Sequence, residues 1–111
     1  MIEKFEKLKK VYKNYIIFIR RGCFYEIYDI DAIIIRDLFN YKVRVVDNHV
    51  CVGINVNNIN KILIKLDILS INYVIYSNCI IEKCRYKNNC YEEAIEFFID
   101  WQNNSFMVLF I

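Results

Sequence analysis

The chain has no proline, only two glycines (Gly22 and Gly53), one histidine and one tryptophan among its 111 residues. With no proline- or glycine-rich stretch, no repeat and no low-complexity segment, nothing marks an interdomain linker, and a single domain over residues 1–111 is expected. No run approaches the ~18 uninterrupted apolar residues that a membrane-spanning helix needs. The opening Met1-Ile2-Glu3-Lys4 carries charge at once and lacks a signal-peptide apolar core. A soluble, cytoplasmic protein without membrane contact is the expectation. The Gly-rich loop followed by Lys-Ser/Thr that cradles nucleotide phosphates is missing, so no ATPase is expected in this chain.

The means for other chemistry are equally sparse. His49 is the lone histidine and has no evident nucleophile or orienting partner, so it reads as a surface turn residue rather than a base. Glu26, Asp29, Asp31 and Asp37 are the acids a metal-dependent nuclease would draw on, yet Asp29 and Asp31 are more economically helix caps. The cysteines number five (Cys23, Cys51, Cys79, Cys84 and Cys90), an odd count expected to be mostly reduced in the cytosol. Four and five residues separate Cys79, Cys84 and Cys90, unlike the tight pairs of structural zinc sites. The chain therefore reads as no enzyme, with no cofactor and no metal.

What is present is apolar. Hydrophobic residues make up 57% of the chain and mean hydropathy is +0.20, which excludes intrinsic disorder and suits a domain with its own core. Isoleucine and asparagine are frequent, a skew that AT-rich coding also produces, so no single Ile or Asn counts as evidence. The rare glycines count for more, as backbone positions that a side chain would block. Net charge is +2, unevenly spread: residues 1–21 hold seven Lys/Arg against two Glu, a balance of +5, leaving −3 for the rest. Any polyanion contact should centre on this segment, with Lys9, Lys10, Arg20 and Arg21 as the candidate cations; the alternative is a solvated helix face.

Periodicity divides the chain into alternating elements. Phe5, Leu8, Val11 and Tyr12 share one side of an N-terminal helix. Tyr15–Ile19 and Phe24–Tyr28 read as strands joined at Gly22, followed by a helix over Ala32–Phe39 that Asn40 ends. Val43–Val46 and Val50–Ile54 flank Asp47-Asn48-His49 as a hairpin. Asn58 is placed to cap a helix whose stripe is Ile59, Ile62, Leu63, Leu66 and Leu69. Tyr73–Tyr76 is a strand, Ile80-Ile81 begins or continues one, and Glu82–Asn89 is a loop or eroded edge. Residues 92–111 add a helix, Glu92–Trp101, and an apolar strand or tail, Phe106–Ile111. Interleaved helices and strands of these lengths predict an α/β fold, a mixed β-sheet flanked by helices.

Positions 22–26 read Gly-Cys-Phe-Tyr-Glu, between the two first strands. Together with the helix ending in Lys9-Lys10, the strand Tyr15–Arg20, Tyr28-Asp29, Ala32, Val52-Gly53-Ile54, the helix Asn58–Leu69 and the strand Tyr73–Tyr76, this resembles the N-terminal mismatch-recognition domain (domain I) of the MutS family of DNA mismatch repair proteins. The resemblance covers residues 3–77, and its specific part is the Gly-x-Phe-Tyr-Glu core. Asn55 departs from it, standing where the family usually has proline. The resemblance implies that Phe24 stacks on a mispaired base from the minor groove while Glu26 hydrogen-bonds that base, with Arg20, Arg21, Lys9 and Lys10 holding the phosphate backbone. The implied partner is double-stranded DNA, mismatched or bulged duplexes included. Strand alternation would put Phe24, Glu26 and Tyr28 on one face, and Tyr25 and Ile27 in the core. Two other readings stay open. One is a protein-interaction module that keeps the fold and uses the C-terminal apolar segment for a partner or homodimer. The other is an enzyme or metal protein, for which the sequence shows no convergent groups.

Overall fold

The computed structural model describes residues 2–84 and 89–95. It contains α1 (Ile2–Val11), β1 (Ile16–Arg21), β2 (Phe24–Tyr28), α2 (Asp29–Phe39), β3 (Arg44–Val46), β4 (His49–Asn55), α3 (Ile59–Ile68), β5 (Tyr73–Tyr76) and β6 (Ile80–Cys84). Residues 91–95 are helical, where the C-terminal helix was expected to begin. The rest of that helix and Phe106–Ile111 lie outside the described residues.

The six strands form one mixed sheet in the order β3-β4-β2-β1-β5-β6. Every neighbouring pair is antiparallel except β1 and β5, which run parallel with Ile16 beside Tyr73 and Phe18 beside Ile75. The centre of the sheet is therefore β1, whose Ile16, Ile17, Phe18 and Ile19 are all buried. A strand covered on both faces reads as a continuous apolar run rather than an alternating one, and this one does. On one face Ile16, Phe18, Tyr25, Ile27, Val52 and Ile54 pack against α2 and α3. On the other, Ile17, Ile19, Tyr28 and Cys51 pack around Phe5 of α1. This is the expected α/β architecture, with helices on both faces.

Turns without proline rest on residues that tolerate a left-handed backbone. Of the six non-glycine residues at positive φ among the described residues, five are Asn or Asp: Asp29, Asn40, Asp47, Asn48 and Asn78. Asn40 ends α2 as expected, at φ 60 with its N–H on the Arg36 carbonyl at 2.8 Å. The hairpin between β3 and β4 turns on Asp47-Asn48 alone, so His49 opens β4 rather than completing the turn. Asn58 stands at the N-cap position of α3 as expected but makes no side-chain capping bond, and the capping bond is made one turn earlier by Asn55. Its side chain accepts from the Asn57 N–H at 2.9 Å and starts a short 3-10 turn, Val56–Asn58, that leads into α3.

The capping role expected of Asp29 and Asp31 is also corrected. The helix begins earlier, at Asp29, and its N-cap is Tyr28 with no side-chain capping bond. Asp29 instead meets His49 Nδ1 at 3.0 Å. Asp31 points inward and is fully buried. Its carboxylate accepts from Lys9 Nζ at 2.7 Å, from the Tyr91 hydroxyl at 2.5 Å and from the Ile17 N–H at 3.2 Å. Lys9 also donates to the Tyr15 carbonyl at 2.7 Å. Burial pushes the Asp31 carboxyl up and the Lys9 ammonium down, and each partner's opposite charge resists that shift. The pair links α1, β1, α2 and the segment around Tyr91.

Removing one side of such a pair strands the other in a place water does not reach. Asp31→Asn should therefore destabilise the fold by about 3 kcal/mol. A Lys9→Met, Asp31→Asn double variant should recover part of that loss; urea denaturation of the single and double variants checks both.

Candidate nucleic-acid interface

The site grows from the β1–β2 hairpin. Arg21 pairs with Phe24, leaving Gly22-Cys23 as a two-residue connection. Gly22 sits at φ +61 with nothing within 4 Å of where a side chain would begin, so it is needed for backbone conformation and not for space. A glycine at the first central position is what a hairpin turn matched to strand twist calls for. The Cys23 carbonyl accepts from the Val56 N–H at 2.9 Å, tying the turn to the far end of β4.

Strand alternation then sorts the motif. Tyr25 and Ile27 point into the core under α2 and α3, as expected. Phe24, Glu26 and Tyr28 share the opposite face, where α1 covers Tyr28 and leaves Phe24 in the open. Phe24 is 49% exposed, whereas Glu26 is 3% and Tyr28 0% exposed. In register on neighbouring strands, Gly53 lies across from Glu26 and Cys51 across from Tyr28. Arg44 pairs with Cys51 one strand further out.

Gly53 serves a different purpose from Gly22. A Cβ there would stand 4.0 Å from the Phe24 ring, ordinary contact distance. Its lack of a side chain instead leaves open a concavity of about 540 Å³ lined by Arg21, Phe24, Glu26, Lys42, Arg44 and Gly53. Three cations and one acid thus surround an exposed aromatic ring.

The Glu26 carboxylate at the floor is closely held. One oxygen accepts from the Tyr28 hydroxyl and faces Cys51 Sγ at 3.7 Å and Arg44 Nη2 at 3.9 Å. The other accepts from Arg21 Nη1 at 3.3 Å. Burial first, then the bond to the Glu26 carboxylate, push the Tyr28 phenol well above its usual range. Burial and next the Glu26 charge push the Cys51 thiol up. Both groups therefore stay protonated and keep their hydrogens toward the carboxylate at neutral pH.

The cations expected at the site divide. Arg21 lines the concavity, but Arg20 pairs with Tyr25 and so projects from the opposite face, its Nε on the Gly22 carbonyl at 3.1 Å. Lys9 is engaged with Asp31 toward the other end of β1, where Asp31 accepts from the Ile17 N–H, four residues or about 13 Å from Arg21 at ordinary strand rise. Lys10 is exposed in the same last turn of α1, at that distant end. In their place the structure brings Lys42 and Arg44. Tyr41-Lys42-Val43-Arg44-Val45 alternates with period two, a signal that puts Lys42 and Arg44 on one face, and the pairing of β3 with β4 sets that face on the Phe24 side.

A mixed sheet flanked by helices, presenting an aromatic ring ringed with cations, defines a protein suited to contact a polyanion bearing flat bases. Residues 1–75 match the family model described as MutS domain I, and the chain belongs to that family. Domain I is its N-terminal, non-catalytic DNA-binding module, distinct from the ATPase domain. A search of curated proteins finds no match. Among the described residues no helix is long and apolar enough to cross a membrane, and no group of His, Cys, Asp and Glu is placed to hold a metal ion.

Gly22→Ala should destabilise the fold by about 1 kcal/mol, because the left-handed backbone disfavours a Cβ even where space is free. Gly22→Asn should cost less than Gly22→Ala; urea midpoints of the two variants measure the difference.

Proposed function

We propose that this chain reads duplex DNA through the Phe24 face and prefers mismatched or bulged duplexes to matched ones. The observation that carries the reading is Phe24 itself. It is a large aromatic side chain left half in solvent on a strand whose later residues are buried, beside Arg21, Lys42 and Arg44. An inserted ring replaces stacking lost where a base step opens, and a mispaired step opens at less cost than a paired one. Glu26, at the bottom of the same concavity, is the base contact, with an acceptor reached only when DNA has come down onto the ring. Its charge disfavours a regular duplex whose phosphates approach without an opened base. Arg21, Lys42 and Arg44 contact the backbone and carry no sequence information. Arg20, Lys9 and Lys10 are left out of this set by their positions.

The test is a low-salt titration of matched, mismatched and single-base-bulged duplexes of one length. Tighter binding of the distorted duplexes is expected. Phe24→Ala should abolish the preference, bringing the ratio of the two affinities to about one. Lys42→Gln should weaken matched and mismatched duplexes alike and lower the salt slope by about 1. Equal loss on both kinds of DNA in the Phe24 variant would remove the wedge role. Absence of binding to every duplex at low salt would favour a protein-interaction module built on the same fold.

A further inference from the structure

We infer that Tyr28 is a positioning residue for the DNA-reading surface: seated under α1 by Phe5, it fixes through its hydroxyl where the Glu26 carboxylate stands behind Phe24. The inference rests on the reading of Glu26 as the base contact, and it extends the site to a residue that no DNA atom reaches.

The geometry has three parts. The Tyr28 hydroxyl and the Glu26 carboxylate lie two residues apart on the same face of β2, and the hydroxyl donates to it directly. The Tyr28 ring is fully buried, with its centroid 5.5 Å from that of Phe5 at a tilt of 55°. A buried ring packed on a helix has little freedom to follow a moving carboxylate, so the carboxylate must come to the hydroxyl. Every other group near the carboxylate is weaker or looser. Cys51 is a poor donor at sulfur distance, and Arg21 and Arg44 are long side chains, 63% and 60% exposed, free to turn toward phosphate. Tyr28 is thus the one partner among them that is both a good donor and immobile. Because α1 supplies the ring that seats Tyr28, the first helix of the domain bears on discrimination while remaining away from the concavity.

A merely structural tyrosine and a positioning one differ in what they move. Tyr28→Phe keeps the ring and its contact with Phe5 and removes only the hydroxyl. The expected result is a mismatch-over-match affinity ratio reduced about fivefold, the size of one ordinary hydrogen bond, with matched-duplex affinity unchanged. In a Glu26→Met background the same substitution should have no further effect on the ratio. A loss shared equally by both duplexes, or an unchanged ratio while Phe24→Ala abolishes it, would overturn the inference. A double-mutant cycle of Tyr28→Phe and Glu26→Met on urea midpoints, without DNA, separates this inference from the function it rests on. Non-additive midpoints show the hydroxyl acting on the carboxylate even if the wild-type protein discriminates no duplexes, in which case the wedge reading alone fails. Additive midpoints would sink the positioning role whatever the DNA results.

Discussion

The fold hangs on one buried carboxylate. Asp31 receives a hydrogen from β1, a charge from α1 and a hydroxyl from the segment after β6, while itself belonging to α2. An ionised group without water must have every lone pair answered, and the answers here come from three other places in the chain. Apolar packing tells α1 to lie on the sheet but leaves its position along β1 loosely specified. The Lys9–Asp31 pair, anchored further on the Tyr15 carbonyl, removes that freedom. Once α1 is set, so is the boundary between the covered and open parts of the sheet face beneath it.

That boundary makes the site. Phe5 covers Tyr28, and Ile17, Ile19 and Cys51 complete the patch under α1. The same face continues past the helix to Glu26, Gly53 and Phe24, where coverage stops. Two glycines with different reasons frame it: Gly22 turns the chain, and Gly53 leaves floor space between two strands. A chain with so few glycines has placed both at one end of one sheet.

Much of this was legible in the sequence, and the limits are physical. Phe24–Tyr28 and Tyr73–Tyr76 stand where short apolar runs put them, and period-two alternation separated Tyr25 and Ile27 from Phe24 and Glu26. Asn40 was readable because its task is local. Asp31 was not: a carboxylate at a helix start looks like a cap, and only the approach of Lys9 and Tyr91 from distant parts of the chain shows otherwise. Asn58 was placed correctly at the start of α3, but the side-chain capping bond falls to Asn55 one turn earlier, a residue indistinguishable from it in composition. The pair Arg20-Arg21 looked like one feature, yet adjacent residues of a strand face opposite ways. The shared face of Lys42 and Arg44 was readable from their alternation with Tyr41, Val43 and Val45, but which side of the sheet it takes is set by β4, which a single sequence does not display.

A net charge of +2 is little with which to hold a polyanion, but the total is the wrong quantity. Attraction to phosphate depends on cations close enough to act together within a Debye length of about 10 Å. The N-terminal excess of charge proves a poor guide to that clustering, because Lys9 is engaged within the protein and Arg20 faces away. What counts is that β1, β3 and the segment before it bring Arg21, Arg44 and Lys42 to one concavity around one acid. Two of those cations already rest against Glu26, so in the absence of DNA their charge is partly answered by the protein itself. Phosphate competes for flexible, exposed arginines, and each one that turns outward leaves the carboxylate more dependent on Tyr28. In the reading proposed above, the event that grips the backbone also bares the Glu26 acceptor for a base, coupling the sequence-blind contact to the discriminating one.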